Sequence, residues 1–137
     1  MRGPPLSIVF NAASGSRQAL ARCRRLGERL RASGRAHDIL LVEPGGELGA
    51  VIGRAVHAAR ANHGVVVAAG DDGTLHAVLQ AAWNAGLALA VLPQGEAGEP
   101  PRVQGVPADL DEALDALLAG HVDAVPLAMA GDRVFLG

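Results

Sequence analysis

The chain has 137 residues, the size of one ordinary domain, and at 50% hydrophobic and 19% charged residues it carries enough apolar surface for a packed core, which excludes disorder as its main state. A formal net charge of −2 lacks the basic field of a protein that grips nucleic acid, so nucleic-acid partners are not expected. The basic residues are all arginine, which removes mechanisms that require lysine, such as the Walker phosphate loop or a Schiff base, and leaves backbone, hydroxyl groups, arginine or a metal to hold any phosphate. The single Cys23 has no partner for an intramolecular disulfide, and no Cys/His pair stands at zinc-ligand spacing. The apolar run near the N-terminus is too brief for a signal peptide, and no stretch reaches the ~20 apolar residues of a membrane span. A cytoplasmic protein is the expectation.

In chain order, Leu6–Phe10 predicts a strand, closed by the turn-forming Asn11-Ala12-Ala13-Ser14-Gly15-Ser16. Arg17 to Ala32 brings Leu20, Cys23, Leu26 and Leu30 back about once per helical turn, with Ser33-Gly34 as a stop. The pair repeats as a strand from His37 to Val42 and a helix from Leu48 to Ala59. Gly64 to Ala69, apolar on both faces, predicts a central strand of a parallel sheet, and the next helix opens at Thr74 after Gly70-Asp71-Asp72-Gly73. Its apolar face is Leu75, Val78, Leu79, Ala82 and Trp83. Leu87 to Leu92 predicts a fourth strand. Pro93 to Pro107 is a Pro- and Gly-rich stretch that reads as an ordered functional loop or a mobile flap, Asp109 starts another helix, and Val122–Met129 and Arg133–Leu136 are short strands. The order βαβαβαβαββ predicts an α/β fold: a three-layer, Rossmann-like parallel sheet with helices on both faces and right-handed crossovers. Residues 1–137 then form one domain whose ligand lies beyond the carboxyl ends of the strands, where the loops at Asn11, Gly70 and Pro93 gather.

Gly70-Asp71-Asp72-Gly73-Thr74 leads from a buried strand into a helix N-terminus, where unpaired N–H groups and the helix dipole favour an anion. Two neighbouring carboxylates would repel a phosphate unless a divalent cation screens them, a combination that suits a magnesium nucleotide. The plain alternative is a capped turn with solvated aspartates. In the first loop, Ser14 or Ser16 could simply cap the helix that starts near Arg17.

These segments together resemble the catalytic domains of diacylglycerol kinases, bacterial lipid kinases and sphingosine kinases, with NAD kinases as more distant relatives. The first strand and its Asn-Pro-x-Ser-Gly loop correspond to Ile8-Val9-Phe10-Asn11-Ala12-Ala13-Ser14-Gly15. The signature Gly-Gly-Asp-Gly-Thr corresponds to Gly70-Asp71-Asp72-Gly73-Thr74, continued by Leu75-His76-Ala77. A third loop, Leu-Pro-x-Gly-Thr-x-Asn-Asp, corresponds to Leu92-Pro93-Gln94-Gly95-Glu96-Ala97-Gly98-Glu99. The resemblance implies ATP-dependent phosphorylation of a diacylglycerol-like lipid hydroxyl, with ATP and Mg2+ as cofactors. Asp72 stands at the position of the signature aspartate, as the catalytic and metal-binding candidate. Asn11, Ser14, Gly15 and Arg17 in the first loop, Gly70, Asp71, Gly73 and Thr74 in the second, and Gly95 in the third are the nucleotide-binding candidates.

Departures accompany the matches. Asp71 replaces a glycine, adding a charge beside the phosphate, in a turn whose left-handed backbone an aspartate tolerates better than most residues. Ala77 replaces a glutamate, and Glu96 and Gly98 replace the threonine and asparagine of the third loop. The chain also stops before the family's second, largely β-sandwich domain, so an incomplete or inactive kinase is expected of it alone. The alternatives are a non-catalytic nucleotide-binding or interaction module, acting through a homodimer, and a NAD-kinase-type enzyme. Seven arginines, Arg17, Arg22, Arg24, Arg25, Arg29, Arg31 and Arg35, crowd the first helix and its exit. They read either as a solvated face or as an attraction to an anionic membrane surface. His76 reads as a plain surface or satisfied histidine or, more sharply, as a group that orients the loop or the acceptor, whereas Trp83 and Cys23 read as core residues.

Overall fold

The computed structural model describes residues 3–92 and 109–119, with the backbone alone of 127–130 and 133–136. The elements are β1 (Leu6–Asn11), α1 (Arg17–Ser33), β2 (His37–Val42), α2 (Leu48–Asn62), β3 (Val65–Ala69), α3 (Asp72–Ala85), β4 (Leu89–Leu92), α4 (Leu110–Leu118), β5 (Leu127–Ala130) and β6 (Arg133–Leu136). The predicted alternation is realised, with shifts of a few residues at several ends. The candidate loop residue Gly95, with the whole segment 93–108, lies outside the described residues.

β1 to β4 form one parallel sheet in the order β2-β1-β3-β4. Because side chains alternate across a strand, β1 sends Leu6, Ile8 and Phe10 to one face and Val9 to the other. The first face is covered by Ala19, Leu26 and Leu30 of α1 and by Leu110, Ala113, Leu114 and Leu117 of α4. The second is covered by Val51, Ile52, Ala55 and Ala59 of α2 and by Leu75 and Val78 of α3. Both faces being buried is what makes β3 read as an unbroken apolar run. β5 and β6 pair antiparallel as a separate two-stranded sheet, with β6 running against α3.

Two residues expected in the core lie outside it. Leu20 is 48% exposed and Trp83 is 46% exposed. At about 100° per residue, Leu20 sits on the flank of the stripe Ala19, Leu26, Leu30, and Trp83 sits just beyond the stripe Leu75, Val78, Leu79, Ala82. Cys23 is half-buried against the α1 side of the core, and burial pushes its thiol pKa up. The thiol is therefore a poor nucleophile.

The arginine face of α1 is also partly committed. Arg25 and Arg29 reach across to α4, where Arg25 Nη2 lies 2.9 Å from Asp111 Oδ2 and Arg29 Nη1 lies 2.9 Å from Asp111 Oδ1. Arg29 also pairs with Asp115. Arg35 is buried, its Nε donating to the Pro4 carbonyl at 2.7 Å. These three arginines are engaged within the protein, Arg25 and Arg29 in partly exposed ion pairs and Arg35 in a buried hydrogen bond. Arg17, Arg24 and Arg31 remain exposed, seven residues apart and so on one line of the helix.

Two stability measurements follow from this packing. Leu114 is fully buried between α4 and the sheet, so Leu114→Ala is expected to lower unfolding stability in urea by about 2–5 kcal/mol. The hydrogen bond from Arg25, seconded by Arg29, holds the Asp111 carboxyl below its ordinary range against the opposing effect of partial burial. A carboxylate with a depressed folded pKa stabilises above its unfolded value, about 3.9, and loses that contribution as pH falls through the folded value. Asp111→Asn is therefore expected to be less stable than the parent at pH 7. The gap should close on acidification below about pH 4, read as the difference between their thermal midpoints.

Candidate functional site

The sheet order puts a topological switch point between β1 and β3, since the chain leaves β1 toward β2 and returns across it to β3. Ligands of open α/β sheets bind in the crevice outside the strand ends at such a point. The loops that flank it here are Ala12–Ser16 after β1 and Gly70–Asp71 before α3.

The first loop is built by local hydrogen bonds. Ala12 N–H donates to the Val42 carbonyl at 2.9 Å, carrying the β1–β2 ladder one residue past the strand. Asn11 Oδ1 accepts from the Ala13 amide at 3.0 Å, and the Gly15 amide closes a turn on the Ala12 carbonyl at 3.0 Å. Gly15 has φ +65°, and an added Cβ would lie 3.1 Å from Pro44 Cγ in the loop after β2, so both backbone conformation and space call for glycine. Ser16 is the N-cap of α1: its Oγ accepts from the Ala19 amide at 3.1 Å. Ser14 Oγ accepts from the Ser16 amide at 3.3 Å. Arg17 is exposed at the first position of the helix, immediately after this loop.

The second loop differs from expectation in one respect. α3 begins at Asp72 rather than Thr74, and Asp71 is its N-cap. Asp71 Oδ1 accepts from the Thr74 amide at 2.9 Å and from the Thr74 hydroxyl at 2.9 Å. Its backbone is extended, with φ −75°, so no left-handed turn is involved in accommodating the aspartate. Thr74 Oγ1 in turn accepts from Asn11 Nδ2 at 2.8 Å. Thr74 is 1% exposed, so this hydroxyl is a buried link between the two loops. Gly70 leaves room for it, because a Cβ there would stand 2.7 Å from Thr74 Cβ. Gly73 is open: the nearest atom to an added Cβ is Asp71 Oδ1 at 3.6 Å. Asp72 is exposed in the first turn of α3, where a carboxylate suits the helix dipole. His76 is exposed one turn further on.

The structure thus brings Asn11, Gly70, Asp71 and Thr74 into direct contact. It places Ser14, Gly15 and Arg17 on the neighbouring loop and Asp72 and Gly73 at the start of α3. Two contributions escaped sequence reasoning. Pro44, read only as part of a turn, occupies the space that a side chain on Gly15 would need. The α1–α4 ion pairs had a readable signal, since Arg25 and Arg29 and, opposite them, Asp111 and Asp115 are each spaced four apart on a helix.

A family model described as the diacylglycerol kinase catalytic domain matches residues 5–130. The chain belongs to this family. Among curated relatives, a diacylglycerol kinase of Staphylococcus aureus (strain bovine RF122 / ET3-1) is 29% identical over 136 residues, covering 94% of this chain and 41% of its own length. One from S. aureus strain JH9 is 33% identical over 90 residues, covering 61% of this chain and 26% of its own length. One from Staphylococcus saprophyticus is 30% identical over 82 residues, covering 55% of this chain and 25% of its own length. The chain spans about two fifths of the first of these relatives and less of the others. It is a lipid-kinase-like domain of the diacylglycerol kinase family with an α/β sheet, and the signature loop of the resemblance opens α3 at the switch point of that sheet. Among the described residues, no helix is long and apolar enough to cross a membrane.

In this diacylglycerol kinase family domain the two glycines of the signature loop differ in tolerance. Gly70→Ala must push Thr74 aside and is expected to cost about 1–3 kcal/mol in denaturant unfolding, whereas Gly73→Ala should stay within about 0.5 kcal/mol of the parent. Thr74→Val keeps the shape but removes the hydroxyl, leaving Asn11 and Asp71 to lose a buried partner. A destabilisation of about 1–3 kcal/mol in the same assay is the expected result.

Proposed function

We propose that the chain is the nucleotide-binding part of a lipid kinase that transfers the γ-phosphate of ATP to a diacylglycerol-like hydroxyl, and that it needs a second domain for the lipid. The observation that carries this reading is the position of the signature loop: it opens α3 at the β1/β3 switch point and is hydrogen-bonded through Thr74 to Asn11 of the first loop. Phosphoryl transfer depends mainly on positioning and charge stabilisation, which a site built from loops and helix ends supplies.

The residues present fit a phosphate group. The turn at Gly15 and the open space at Gly73 let the backbone approach an anion closely, and the α3 N-terminus attracts it. Asn11, Ser14 and Arg17 bring polar and cationic groups from the first loop. The fit to a metal is narrower. Among the described residues no three His, Cys, Asp or Glu side chains are placed to hold an ion, so Mg2+ would enter with the nucleotide's phosphates, and Asp72 would supply a single carboxylate. An ion held in this way would neutralise charge on the phosphates during transfer. Asp72, exposed in the first turn of α3, would bind that ion or accept the proton of an attacking hydroxyl.

For a peripheral contact with anionic lipid headgroups, the line Arg17, Arg24 and Arg31 is the surface of α1 that remains, and it would act with the protein in the cytoplasm. A second reading, a module without catalysis, draws support from Asp71 and from Glu96 and Gly98 in the third loop, which set anions or missing side chains where the family pattern has glycine, threonine and asparagine.

Titration calorimetry of the purified chain with Mg·ATP tests the first reading. Saturable binding is expected, weakened about tenfold or more by Asp72→Asn when magnesium is present and by Gly15→Ala whether or not it is. No saturable heat up to millimolar Mg·ATP, from a chain shown to be folded, would set the nucleotide reading aside in favour of the binding module.

A further inference from the structure

The signature loop contains its own anion. Asp71 stands where the family pattern has a glycine, and its carboxylate bonds both the backbone N–H and the hydroxyl of Thr74, each at 2.9 Å. The N–H is one of the donors that the start of α3 would otherwise turn toward a phosphate, and the hydroxyl lies beside it. The first turn of the helix also carries Asp72, so two negative side chains lie at the end of the crevice that the dipole makes attractive.

We propose that Asp71 is a specificity-determining residue of this site: its carboxylate competes with phosphate for Thr74 and sets the crevice against highly charged polyphosphates. The inference rests on the nucleotide-binding reading above and states how that site discriminates among its ligands. It stands on three independent features. Sheet topology puts the cap at the switch point, where ligands of such sheets bind. Steric fit fixes the cap's partner, because Thr74 is buried against Gly70 with no space for a Cβ between them and is tied to Asn11 at 2.8 Å. The Thr74 donors therefore do not swing to a second position, and carboxylate and phosphate must share one place. Charge supplies the third feature: a carboxylate a few ångströms from a bound phosphate repels it, and repulsion rises with the number of phosphate charges.

Asn is as good an N-cap as Asp, so Asp71→Asn removes the charge and keeps the cap. Asp71→Gly restores the family residue and frees the Thr74 N–H altogether. Calorimetric titration of the whole chain and both variants with AMP, ADP and ATP, at low and at physiological salt, tests the proposal. Both variants are expected to bind ATP at least about tenfold tighter than the parent at low salt, with a smaller gain for ADP and the smallest for AMP. The gain of Asp71→Asn should shrink as salt is added, because screening acts on charge and not on the fit of a cap. In the parent, saturation with ATP should also shift the amide resonance of Thr74, the N–H that the two anions share. Equal affinities for parent and variants across the three nucleotides would overturn the inference while leaving the nucleotide site intact. A gain that does not depend on nucleotide charge or on salt would overturn it too, by assigning Asp71 a structural role alone. Failure of all three folded proteins to bind any of the nucleotides would overturn the nucleotide reading itself, and this inference with it.

Discussion

The Thr74 hydroxyl is the point on which the crevice depends. It accepts from Asn11 at the end of β1 and donates to Asp71 at the head of α3, so one buried oxygen joins the two loops that flank the switch point. Buried polar groups need partners, and here each partner is also a residue of a candidate binding loop. The geometry of the loops is consequently not independent: a change at Gly70 reaches Asn11 through Thr74. This coupling is what gives a site made of exposed loop residues a defined shape.

The sheet beneath supplies the rigidity. With β1 and β3 paired in register from Leu6–Val65 to Phe10–Ala69, their carboxyl ends are held side by side, and both faces are sealed by helices. The α1–α4 ion pairs add a polar seam on one face. Exposed pairs of this kind contribute little to stability one at a time. Their consequence for function is subtraction: Arg25 and Arg29 are engaged with α4, so the charge available to an outside surface is smaller than the arginine content of α1 suggests.

Membership of the diacylglycerol kinase family and the individuality of this chain meet at Asp71. The family relation gives the loop its expected chemistry, and the cap gives it an internal carboxylate where that chemistry expects a bare backbone. The substitution does not break the fold, because an N-cap aspartate in extended conformation is a favourable way to start a helix. A residue that stabilises α3 is thereby the one that, under the proposal above, opposes a phosphate, so a substitution there would alter binding without breaking the local fold.

The sequence by itself determined the element order, the parallel α/β class and the two loops, because strand runs, helical periodicity and turn residues are local signals that survive without knowledge of the neighbours. Asn11, Ser14, Gly15 and the Gly70–Thr74 segment were legible for the same reason, as turn and cap chemistry at strand ends. The placement of Leu20 and Trp83 was not legible, since a few tens of degrees around a helix decide whether a side chain faces the sheet or the solvent, and that rotation is fixed by packing. Tertiary structure alone decided the strand order β2-β1-β3-β4, hence the location of the switch point. It alone joined Asn11 to Thr74 across 63 positions of sequence. The physical reason is that hydrogen bonds between distant loops depend on which strand ends the sheet brings together, and no local pattern encodes that distance.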